Sequence, residues 1–170
     1  MAEDEIIENK VAKSGLITLD LEVLKPEWDI VGFDMANVLW QRTVLKEKEF
    51  RGFVKNHVWE EYSGKAVYIY SSEDAIIPTW AYMLLATALK PHVLMSVVGT
   101  KEDMLCMLWR NYINDLDMGE YRDARVVLKG CSNEVIPETV YHELTSRLVS
   151  NVRSLMFGEP CSTVPVFKKK

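Results

Sequence analysis

Residues 51–89 lie over residues 110–148 without a gap at an offset of 59, and nine positions are identical. They are Arg51/Arg110, Glu61/Glu120, Tyr62/Tyr121, Val67/Val126, Ile77/Ile136, Pro78/Pro137, Tyr82/Tyr141, Leu85/Leu144 and Leu89/Leu148. Conservative pairs such as Phe50/Trp109 and Ile69/Leu128 keep the same register. Self-similarity at a fixed spacing marks a repeated structural unit, so the chain reads as an internal duplication with halves at about 45–99 and 104–158. Each half carries a helical pattern, an apolar run, a polar loop, Ile-Pro and a second helical pattern. That alternation builds a mostly parallel sheet with crossover helices, an α/β fold.

With 170 residues, the chain fits a single α/β domain over 15–170 behind a flexible acidic start at 1–14. Within it, Ile17, Leu19, Leu21 and Val23 alternate with polar residues as a half-buried strand that Pro26 ends. Ile30–Phe33 reads as a second strand, and Val38–Leu45 is open between strand and helix. Pro78 and Pro137 are expected in the first turn of their helices, where a missing N–H costs nothing. Val93–Val98 reads as a buried strand. Its counterpart Val152–Phe157 fits either a strand or a prolongation of the preceding helix, and the repeat favours the strand.

A net charge of −5 argues against a nucleic-acid surface, which needs clustered Lys and Arg. Lys168–Lys170 is the only basic run and reads as a solvated end. No apolar run reaches the ~18 residues of a membrane span, and the first residues, Ala2-Glu3-Asp4-Glu5, are no secretory signal. A cytoplasmic location follows, and there an odd count of three cysteines makes a disulfide framework improbable.

Chemistry is expected outside the carboxyl ends of parallel strands. The loops Ser71-Ser72-Glu73-Asp74 and Gly130-Cys131-Ser132-Asn133 occupy that place, and a strand at 152–157 would deliver Glu159 and Cys161 to the same edge. Lys129 and the start of the following helix both favour a thiolate at Cys131. Cys131 and Cys161, with Asp74 and Glu159 beside them, are therefore candidate ligands for zinc or an iron–sulfur species. No CxxC or HExxH spacing supports them. Against this stands the ordinary use of cysteine as a small buried filler, the role read for Cys106. His57, His92 and His142 read as surface or capping residues. Asp74 and Asn133 have a plain use in satisfying turn backbone. Nucleotide-binding glycine motifs and GxSxG are absent.

The stretches NKVAKSGLITLDLE (9–22), VLKEKEFRGFVKNHVWEEYSGK (44–65), DAIIPTWAYMLLA (74–86), KGCSNEVIPETVY and SLMFGEPCSTVPVFK resemble the bacterial family known as domain of unknown function 2480. The resemblance covers nearly the whole chain and implies no established activity. It does imply a link with iron–sulfur cluster assembly, which would suit a thiolate-bearing accessory protein. Two alternatives stand beside that reading: a non-catalytic module that binds a protein partner or forms a homo-oligomer, and a small enzyme with Cys131 as nucleophile.

Overall fold

The computed structural model describes residues 15–129, 136–159 and 162–170. The chain is mixed α/β, but its strands form two sheets rather than one, and it divides into two compact units, 27–108 and 1–26 with 109–170. The first strand, β1 (Leu16–Leu19), stops at Asp20. Asp20 accepts a hydrogen bond from the Glu22 N–H at 3.1 Å and so caps a one-turn helix, α1 (Leu21–Leu24). The expected strand through Val23 is cut short by that cap. The second strand, β2 (Ile30–Asp34), runs into a 3-10 turn at Met35–Val38 started by Asp34 in the same way. Val38–Leu45 is neither strand nor helix beyond that turn. Trp40 and Val44 pair across a tight reversal.

Next come α2 (Glu47–Asn56), a 3-10 turn at Trp59–Tyr62, β3 (Ala66–Tyr70), α3 (Thr79–Leu89) and β4 (Met95–Val98). They are followed by α4 (Lys101–Asp115), a 3-10 turn at Met118–Tyr121, β5 (Arg125–Leu128), α5 (Glu138–Leu148), β6 (Ser154–Glu159) and β7 (Ser162–Lys168). The turn after α2 and the turn after α4 begin at positions 59 apart, as do α3 and α5, and β4 and β6. Pro78 and Pro137 precede their helices as extended cap residues, one position before the expected first turn. A proline's fixed φ suits that place too, and its ring blocks any helical extension backwards.

In the unit 27–108 the sheet order is β2-β3-β4, all parallel. Alternation along β3 sends Val67 and Ile69 to one face, where Phe33, Phe50, Ala81, Leu85 and Leu89 close a core under α2 and α3. Ala66 and Tyr68 face the other side, beneath Met104 and Leu108 of α4. Both faces are thus covered, as parallel sheets require. β4 is an edge strand and only half-buried, with Val98 53% exposed, so the buried strand expected at 93–98 is corrected. His57 packs edge-on to Trp59 with ring centroids 4.5 Å apart, and its Nε2 lies 2.8 Å from Glu61 Oε1.

In the other unit the order is β1-β5-β6-β7, with β1, β5 and β6 parallel and β7 antiparallel at the edge. α5 ends at Leu148, and β6 lies parallel to β5 with Leu128 opposite Phe157. The strand reading of the second apolar tail holds, in place of a long helical rod. β7 was not foreseen: Lys168 ends this strand, and Lys169 Nζ reaches Asp123 Oδ1 at 3.1 Å, so the basic tail is partly tied down. One fact explains the two sheets. A parallel three-strand layer needs a strand ahead of its first helix, and β1 and β2 supply one to each.

Gly99, directly after β4, and Gly158, the penultimate residue of β6, have φ of 149° and 121°, where a side chain is strained.

Candidate functional site

At the carboxyl edge of β2-β3-β4, Asp34 is the organising side chain. Its Oδ1 accepts from the Ala36 N–H at 2.9 Å and from the Ser72 N–H at 3.0 Å, and its Oδ2 accepts from the Ser72 hydroxyl at 2.6 Å. Partial burial works against the carboxylate, but these donors and the nearby Arg42 charge prevail and hold its pKa below the ordinary value of 3.8. Arg42 Nη2 donates to Ser72 Oγ at 3.1 Å, and its Nε donates to Glu73 Oε1 at 2.9 Å. A serine hydroxyl bonded to a carboxylate suggests a nucleophile and base. Here both carboxylate oxygens are engaged by backbone and hydroxyl donors from two segments, an arrangement that pins the loop after β3.

The pin presents a strained reversal. Gln41 and Arg42 are left-handed, with φ of 48° and 59°, in a turn closed by the Thr43 N–H to Trp40 carbonyl bond of 3.1 Å. Two consecutive left-handed residues are the geometry for which Asn-Gly is preferred, and neither residue here is glycine. The reversal pairs Trp40 with Val44, and Val44 in turn bridges to Ile76. All three apolar side chains stay open to solvent: Trp40 is 44% exposed, Val44 49% and Ile76 92%. The Lys46 ammonium lies 4.1 Å from the Trp40 ring centroid.

At the carboxyl edge of β1-β5-β6, Asp20 takes the place that Asp34 has in the other unit. Its Oδ2 is 2.7 Å from Lys129 Nζ. That bond lowers the Asp20 pKa against partial burial and raises that of Lys129, to which the charges of Glu159 and Glu22 also contribute. Lys129, expected to favour a thiolate at Cys131, is thus already engaged by a carboxylate, and the two charges largely cancel.

Cys131 and Cys161 lie outside the described residues. Asp74 is exposed in the loop after β3, whereas Glu159 is half-buried at the end of β6. β3 precedes Asp74 and β6 contains Glu159, and these two strands belong to different sheets. The turn backbone assigned to Asp74 is served instead by Asp34 and by Ser71, whose hydroxyl donates to the Glu73 carbonyl at 2.8 Å. Cys106 is half-buried on α4, in keeping with packing, and His142 is exposed on α5. Among the described residues no group of three or more His, Cys, Asp or Glu side chains could hold a metal ion, and no helix is long and apolar enough to cross a membrane.

Asp20 and Asp34 escaped the reading of the residues. The available signal was an aspartate directly after each short apolar run, Ile17–Leu19 and Ile30–Phe33, where a strand hands over to a helical turn.

No curated protein and no solved structure matches the chain. The family model that does match, described as a protein of unknown function (DUF2480), covers residues 5–169, and the chain belongs to that family.

Proposed function

We propose that this protein is a non-catalytic binding module that self-associates through the surface formed by Trp40, Val44 and Ile76. The observation that carries this reading is the outward display of three large apolar side chains on a backbone strained to hold them there. A left-handed non-glycine residue costs on the order of 1 kcal/mol or more, and such strain clusters where function needs it. Contiguous exposed apolar groups with a polar rim, here Arg42, Glu73 and Lys46, mark contact surfaces. Ile76 at 92% exposure contributes almost nothing to the fold, yet covering it would contribute about 1.5–3 kcal/mol to an interface. A second copy of the chain is the occupant proposed, and light scattering on size-exclusion fractions tests it. The expected result is a dimer or larger, converted to monomer by Ile76→Asp with an unchanged circular-dichroism spectrum. A wild-type protein that stays monomeric at ~100 μM, weaker than any stable interface, overturns the reading.

The thiolate reading has one supporting observation. β5 and β6 lie side by side and parallel, so the strands that precede Cys131 and Cys161 in the chain end at one edge. On this reading the two cysteines, with Asp74 or Glu159 beside them, would serve zinc or an iron–sulfur species in a cytoplasmic protein. Metal analysis of untagged protein should then find bound metal that Cys131→Ser and Cys161→Ser remove. Metal-free protein under anaerobic purification rejects it.

The halves at about 45–99 and 104–158 are also proposed to descend from one duplicated ancestor. Support comes from the common offset of their turns, helices and strands, and from Gly99 and Gly158 at matching positive φ.

A further inference from the structure

The second faces of the two sheets carry different residues, although Val127 on one is as fully buried as Ala66 on the other. In the unit 27–108 that face carries Ala66, Tyr68, Met95 and Val97 and is covered by Met104 and Leu108 of α4. In the other unit the strand positions at the same offset are Arg125, Val127, Ser154 and Met156, and Leu94 is matched by Arg153. Arg125 stands directly opposite Ser154 in the parallel register, and Pro165 of β7 stands opposite Met156. These residues line an open cleft of about 490 Å³, together with Phe167, Lys168 and Lys169.

We infer that this cleft binds a phosphorylated small molecule with a flat apolar body, of the nucleoside diphosphate class. Two arginines and two lysines share its lining with Met156, Pro165 and Phe167, the apolar floor of the proposed site. Guanidinium matches phosphate oxygens with two parallel donors, and the ammonium groups add point charge. The floor suits a ring, and the volume falls within the roughly 300–1,000 Å³ of small-ligand sites. Lys169 is shared with Asp123, whereas Arg125, Arg153 and Lys168 engage no carboxylate among the described residues. Their charge is available to a ligand. A polynucleotide would need a basic track running beyond the cleft on a chain whose net charge is −5, so a compact anion fits better.

Calorimetric titration of the full chain with ADP, inorganic pyrophosphate, adenosine and a single-stranded twelve-nucleotide DNA tests the inference. ADP should bind at low salt, pyrophosphate more weakly and adenosine not detectably. Arg125→Glu and Arg153→Glu should each weaken ADP binding by at least about tenfold, since each replaces a charge-assisted phosphate contact by a repulsive one. Lys90→Glu, a charge change in the other unit, should leave it unaltered. Circular dichroism of each variant separates lost binding from lost fold, and Arg125→Lys, which keeps the charge, should retain part of the affinity. Absence of ADP binding at millimolar concentration overturns the inference. So does binding indifferent to both arginine substitutions, or DNA binding tighter than ADP.

Discussion

Replacing Gly158 with alanine is expected to destabilise the β6–β7 sheet edge by roughly 2–4 kcal/mol, combining overpacking with a left-handed penalty. The φ of Gly158 is 121°, and a Cβ built there would stand 2.6 Å from the Ser162 carbonyl oxygen. Relief would have to come from backbone, because the clashing atom belongs to the partner strand rather than to a flexible side-chain end. Gly158 pairs with Thr163 in the antiparallel ladder, so moving one strand breaks the register of both. The thermal midpoint should fall by roughly 5–10 °C for a chain of this length. A midpoint within a degree of wild type would refute the account. Gly99→Ala is a useful comparison because its Cβ would meet Asp103 Oδ2 at 2.6 Å, a side chain that can turn away. That substitution should cost less, even though turning Asp103 away gives up its bonds from Thr100.

Substitution of Asp34 by alanine is the second large effect, expected at roughly 2 kcal/mol because it removes a cap and charge-assisted bonds at a partly solvated site. The loss is shared between the turn at Met35–Val38 and the loop that carries Ser72. Its pH dependence identifies the cause. The folded pKa of Asp34 lies below its ordinary 3.8, so the stabilisation is fully present above the unfolded value and is lost as pH falls through the folded one. Denaturant titrations of wild type and Asp34→Asn should therefore differ at pH 7 and draw together as the pH falls below 3.8, down to the lowest pH at which the protein stays folded. A gap of constant size down to that pH would mean that shape rather than charge holds the loop. In the same variant Arg42 loses the anchored hydroxyl to which it donates, and the display of Trp40 should loosen with it.

Helices were the most legible part of the sequence. Phe50, Phe53 and Val54, and again Tyr82, Leu85 and Leu89, recur at spacings that only a helix brings to one face, and both segments are helical. Strands of four to six residues were legible as apolar runs, but their partners were not. Nothing in Ile17–Leu19 distinguishes pairing with β5 from pairing beside β2, since both are short runs of aliphatic residues. The division into two sheets was hidden for that reason. The capping aspartates were obscured by the alternation through Leu21 and Val23, where a period of two imitated a strand across a helical turn. At the rim, nothing in the sequence marked Trp40, Val44 and Ile76 as exposed, because hydropathy records what a side chain prefers and not whether the fold covers it.

The placement of β1 also bears on how the molecule is made. Residues 27–108 are continuous, so this unit has all its strands once they leave the ribosome. β1 is synthesised before that unit but pairs with β5, 109 residues downstream, and must wait unpaired while the intervening unit forms. Closing so long a loop adds little to the equilibrium cost but delays assembly, since distant pairings form late. This early strand is thus among the last to find its seat.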